Sequence, residues 1–170
     1  MDTVPQEWRD KVAGTLINPD TLLATDYLNH FNEVVMLIGM LPDVPDMLPD
    51  CESWQPKSYP EHFRTSGLDY GVLAAEAYEH IPDDIKAPFE LTIEQLRATI
   101  PFTVGRCRKC AESNDPEGLR RAAVAGTDVI HKLIAVLGGM IAGSREVVDQ
   151  GEIDRLLASA GDQHHARPLT

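Results

Sequence analysis

Apolar positions along this sequence recur every three or four residues, in blocks separated by proline, glycine and short polar runs. The first block holds Leu23, Tyr27, Phe31, Val34, Ile38 and Leu41. That spacing is one face of a helix. Asn18 reads as its N-cap, Pro19 as its first helical residue, and Pro42 as its stop. Residues 42–60 carry Pro45, Pro49, Pro56 and Pro60 as well, and predict an irregular loop pinned to the surface by Trp54 and Tyr59. Two short helices are expected next: "PEHFRTSG", closed by Gly67, and "LDYGVLAAEAYEHIP", with Leu73, Ala77 and Ile81 turned inward.

The second half repeats the helical period at greater length. Phe89, Ile93, Leu96, Ile100 and Val104 form one stripe, with a kink or interruption expected at Pro101. A restart at Asp115 as N-cap and Pro116 as first residue opens the next stripe: Leu119, Ala123, Ile130, Leu133, Leu137 and Ile141. Helices over most of residues 90–112 and 115–143, joined by so short a link, predict an antiparallel hairpin. No run alternates with period two over a useful length. The expected fold is all-α: a helical bundle built on that hairpin, with a proline-rich irregular loop.

A smaller pattern follows the last long stripe. In "VVDQGEIDRLLASAG" the side made by Ile153, Leu156, Leu157 and Ala160 is apolar, while Glu152, Asp154 and Arg155 are polar. Asp149 and Glu152 have capping-box spacing. About three turns of helix are unstable alone, so this segment must dock. The expected division is a helical domain over residues 1–146 and a C-terminal amphipathic helix and tail over 147–170. Ala135, Gly139 and Gly143, four residues apart, let another helix approach closely, either within the monomer or as the seam of a homodimer.

Charge narrows the partners. Lys and Arg total 15 against 27 Asp and Glu, a net charge of −12. Such a chain is a poor wrapper of nucleic acid and is repelled by anionic membranes. The start of the sequence lacks a signal-peptide pattern, and the most apolar stretch, residues 133–143, holds 11 uncharged residues. A bilayer span needs roughly 20. A soluble, cytoplasmic protein is expected. Three cysteines are too few, and odd in number, for a secreted disulfide framework.

Candidate chemistry is sparse. Cys107 and Cys110 form "CRKC", a spacing that suits zinc or dithiol–disulfide cycling, yet Cys107 continues an apolar stripe and reads as core. Asp26, His30 and Glu33 share a helix face, but in an order unlike that of di-iron bundles, and read as a solvated polar edge. Asp43, Asp46, Asp50 and Glu52 lack the ligand spacing of a calcium loop. The sequence has no phosphate loop, nucleophile elbow or zincin motif. No metal ligand set and no cofactor is expected.

Gln150, Glu152, Ile153, Asp154, Leu156 and Leu157 resemble the Q-x-E-I-D-x-L-L segment that opens flagellar motor switch proteins, and a similar segment ends the helical chemotaxis phosphatase. The resemblance covers about a dozen residues and implies docking on a phosphorylated response regulator, through apolar anchors at i, i+3 and i+4. Gly151 stands where the motif carries an acid. Glu94 is adjacent to Gln95 rather than a turn away, so the phosphatase's catalytic glutamine is not carried over. The expectation is a non-enzymatic bacterial interaction or regulatory protein. The alternative is a small metal- or redox-active helical protein using Cys107 and Cys110.

Overall fold

The computed structural model describes residues 3–162, with side chains described as far as Ser159. Among them are no strands. The helices are α1 (Gln6–Val12), α2 (Tyr27–Met40), α3 (Leu48–Ser53), α4 (Tyr59–Arg64), α5 (Gly71–Tyr78), α6 (Asp83–Glu112), α7 (Pro116–Ile141) and α8 (Gln150–Asp162), with a 3₁₀ turn over Pro45–Met47 before α3. The all-α class is as the periodicity predicts. Contacts group the chain into two compact units. Of the described residues, the first comprises those up to Asn32, Pro56–Ile93 and Ile134–Val147; the second comprises Glu33–Gln55, Glu94–Leu133 and those from Val148 on.

An aromatic cluster forms the heart of the first unit. Tyr27, Phe31, Tyr59, Phe63 and Phe89 are all essentially inaccessible. Tyr27 meets Phe31 and Tyr59 edge-on, with ring centroids 5.1 and 5.2 Å apart. The two phenols also serve the backbone: the Tyr59 hydroxyl accepts from the Ala24 N–H (2.9 Å), and the Tyr27 hydroxyl donates to the Lys57 carbonyl (2.8 Å). Tyr59 therefore pins its segment as predicted. Gly71 is required where it stands, because a Cβ there would run into the Phe63 carbonyl; α4 and α5 meet backbone to backbone.

The start of α2 differs from the sequence reading. Asn18 and Pro19 do not open a helix. The Asn18 side chain instead accepts from the Asp20 N–H (2.8 Å), closing a local turn. Leu22 then takes a left-handed conformation (φ 59°), and α2 begins at Tyr27. Local Asx bonding competes with helix initiation, and here it wins. Full burial of Leu22 and Leu23 offsets the roughly 1–2 kcal/mol that a left-handed leucine costs.

The proline-rich segment is also more ordered than expected. Pro45 and Pro49 lie in the first turns of the 3₁₀ turn and of α3, and Pro60 in that of α4, where a missing N–H costs nothing. Ser58 caps α4 by accepting from the Glu61 N–H (3.2 Å). These prolines begin helices.

In the second unit, α6 and α7 are joined by residues 113–115 alone. Asn114, left-handed at φ 50°, ends α6, and the Asp115 N–H returns to the Cys110 carbonyl (2.9 Å). Asp115 caps α7 by accepting from the Gly118 N–H (2.9 Å), with Pro116 at the first position, as predicted. Any Cβ on Gly126 would strike Thr103. The two residues lie almost equally far from the link, the spacing of antiparallel neighbours. Pro101 does not interrupt α6; it lies on the exposed side. Taken whole, α7 is long and apolar enough by length and composition to cross a bilayer, a test that core helices also pass. Its residues Leu119, Val129, Ile130 and Leu133 are buried in the second unit.

Candidate functional site

The C-terminal helix is seated in cis on the second unit. Val148 enters first: it is buried, and its carbonyl accepts from the Gln95 amide (2.8 Å). Gln95 is itself buried, its Oε1 has no partner, and its amide nitrogen holds the approach to α8. Within α8, Ile153 (1% exposed) and Leu157 (9%) point inward at i and i+4. Between them Leu156 is 40% exposed. Arg106 of α6, whose guanidinium lies over the Phe102 ring, donates to the Leu157 carbonyl (2.7 Å).

Glu152 does not reach back to the helix start, as a capping box would require. Its carboxylate accepts from Lys132 of α7. That bond, and then the lysine's charge, pull its pKa below the usual carboxylate value. Asp149 supplies its backbone carbonyl to the Glu152 and Ile153 amides (3.0 and 3.2 Å). Gln150 and Asp154 are exposed and bonded to each other (3.0 Å). Of the six motif residues, then, Ile153 and Leu157 serve the protein's own core, Glu152 ties α8 to α7, and Gln150, Asp154 and Leu156 face outward. Ala160, expected on the apolar side, lies outside the described side chains, as does most of the tail.

A groove runs along each flank of α8. The one toward α6, about 320 Å³, is lined by Thr99, Phe102, Ile153 and Leu157 among others. The one toward α7, about 600 Å³, has Val124, Ala125, Val129 and Leu156 on its floor and Arg120, Arg121, Asp128 and Lys132 around it. Sequence reasoning missed this second groove. Its signal was present: Arg121, Val124, Ala125, Asp128 and Lys132 fall at i, i+3, i+4, i+7 and i+11, one continuous face of α7.

The Asp26–His30–Glu33 edge is a correction. His30 is buried, not solvated. Its Nε2 accepts from the Lys57 N–H (2.8 Å), which fixes the neutral ring. Burial, then His62, then Lys57 lower its pKa to about 4. Asp26 pairs with His62 of α4 (2.9 Å), and Glu33 is exposed. What reads along the sequence as one polar face is divided by α4, which brings an imidazole that spacing alone does not foresee.

The cysteines are unactivated thiols. Cys107 is fully buried, and burial, with Cys110 and Cys51 nearby, pushes it up to about 12. Burial likewise raises Cys51 to about 11, and raises the half-buried Cys110. A nucleophilic thiolate is favoured by the opposite shift. Among the described residues, no three His, Cys, Asp or Glu side chains gather as a metal-holding group.

Ala135 and Gly143 are exposed and Gly138 and Gly139 half-exposed, and Gly143 lies past the end of α7 with φ 114°. The proposed seam is thus a surface feature. Comparison with protein-family models gives no match, and neither the curated proteins nor the solved structures match the chain.

Proposed function

We propose that the protein is a non-enzymatic interaction protein that offers its C-terminal helix to a signalling partner in the bacterial cytoplasm. The observation that carries this reading is the lightness of the seat. Among the described side chains of α8 only Ile153 and Leu157 are buried, and the polar ties are one arginine–carbonyl bond and one exposed ion pair. Two aliphatic side chains contribute about 3–6 kcal/mol of burial, and the exposed, solvent-screened pair adds little. Ordering the helix opposes this, so release falls within reach of a partner's binding energy.

A phosphorylated response regulator is the partner class that the resemblance at Gln150, Glu152, Ile153, Asp154, Leu156 and Leu157 supports. Because Ile153 and Leu157 face inward, α8 must leave its seat before it can lie in such a groove with all three anchors. That conformational cost makes the affinity weak, on the order of micromolar or poorer. Titration of a chemotaxis response regulator, with and without beryllofluoride, into the full chain and into one ending at residue 146 tests the reading. Saturable binding by the full chain alone, strengthened by beryllofluoride, is expected; equal binding by both chains refutes it. A second copy of the chain across Ala135, Gly139 and Gly143 belongs to the same proposal, supported by the exposure of that face.

A further inference from the structure

The chain enters α8 through a single buried residue. Of the non-helical residues 144–149 only Val148 is buried, and Asp149 and Gln150 after it are exposed. A buried carbonyl there needs a donor, because leaving it bare costs as much as a lost hydrogen bond. That donor is the Gln95 amide of α6, at 2.8 Å. Among the described residues the Val148 carbonyl receives no other hydrogen bond.

The same glutamine is only half satisfied. Gln95 is 6% exposed, and its Oε1 is buried without a donor. In water both ends of the amide are satisfied, so seating α8 forms one bond and strands one acceptor. The other polar ties of α8 differ in kind. Lys132 meets Glu152 in solvent, and Arg106 reaches the Leu157 carbonyl from a part-buried position, so water replaces either as the helix lifts. The bond from Gln95 is buried, and water reaches it only when the chain at Val148 moves away.

From this buried, half-satisfied bond we infer that Gln95 is the release catch of α8, a positioning residue whose hold on the Val148 carbonyl sets how often the helix leaves its seat. This role rests on the reading of α8 as a releasable docking helix. Ile153 and Leu157 supply the affinity of the seat, and Gln95 supplies its threshold. The stranded Oε1 is hydrated again on release, which keeps the open state near enough in free energy for a partner to shift the population. A fully paired amide at this point would lock the helix down.

Gln95→Glu in the full chain is the test. It keeps the shape of the side chain and exchanges the donating nitrogen for an oxygen. Ionised, the introduced carboxylate faces the Val148 carbonyl and opposes closure. Protonated, it carries an O–H that donates to the same carbonyl. Burial makes the closed state bind that proton more tightly than the open state, so closure strengthens as pH falls. Native-state hydrogen exchange over residues 152–159 reads the opening, with the parent measured at the same pH. At pH 8 the variant should open α8 about tenfold more often than the parent or more, and by pH 5 this excess should shrink by about tenfold. Unchanged α8 opening at pH 8 would overturn the inference. So would an excess equal at both pH values, which would trace it to packing, or a variant unfolded outright at pH 8, which would place Gln95 in the general core. At pH 8 the variant should also bind the beryllofluoride-loaded regulator about tenfold more tightly, because more of it is open. Exchange that behaves as expected while neither chain binds the regulator leaves the catch standing and removes that partner.

Discussion

At the scale of single residues, the aromatic cluster depends on one imidazole staying neutral. His30 is buried beside His62 and Lys57, and its ring nitrogen must accept a proton donor, so its pKa falls from 6.5 to about 4. The unfolded chain therefore binds a proton there that the folded chain refuses. The stability this contributes is complete above about 6.5 and is lost as pH falls toward 4. The loss amounts to roughly 1–3 kcal/mol. Denaturant melts between pH 7 and 4 should show that slope, and His30→Gln should flatten it; an unchanged slope in the variant would locate the acid sensitivity elsewhere. Cys107 makes a simpler case. As a buried, protonated thiol it should resist alkylation in the native state while Cys110 is labelled first, and mass spectrometry after brief iodoacetamide treatment checks that order. Modification of Cys107 ahead of Cys110 would contradict its burial.

At the scale of elements, the seating of α8 separates its three apolar residues. Ile153→Ala and Leu157→Ala empty the protein's own core and should each cost about 2–4 kcal/mol, whereas Leu156→Ala should stay within about 0.5 kcal/mol of the parent. Chemical denaturation of the three variants decides, and equal costs would reject the orientation. The sequence pattern placed all three on one apolar side, which is correct as periodicity. A helix lying between two grooves buries only its central line, however, and the third residue of the stripe is left at the edge. Likewise the α6 and α7 stripes and the Asp115–Pro116 cap were legible, because they are set by local spacing and local hydrogen bonds. The late start of α2 was not. Asn18 and Pro19 carry a helix-opening signal, and only the tertiary burial of Leu22 and Leu23 makes the competing turn the better solution. The prolines of residues 42–60 misled for a related reason: proline at a first turn and proline within a loop look alike until the helix behind it is seen.

At the scale of the whole molecule, the proposed homodimer rests on the exposed small-residue face around Ala135 and Gly139 of α7. Gly139 is half-exposed with only Ser144 near its missing Cβ, so Gly139→Leu should fold with little loss. If a second copy covers this face, the parent should run as a dimer in size-exclusion chromatography with light scattering, and the variant as a monomer. A parent that is monomeric at high concentration would remove the dimer. The candidate site was half legible: the motif residues of α8 stand out in the sequence, while the groove needs Val124 of one helix and Leu156 of another to be brought side by side, which no local pattern announces.

The central claim, that α8 is held in cis yet releasable, is tested most directly by native-state hydrogen exchange across residues 152–159. The account predicts intermediate protection, with an opening free energy of about 2–4 kcal/mol that lies clearly below that of residues 119–133 in the same molecule. Amides of α8 exchanging at unprotected rates would contradict the seat, and amides opening only with the whole protein would contradict the release.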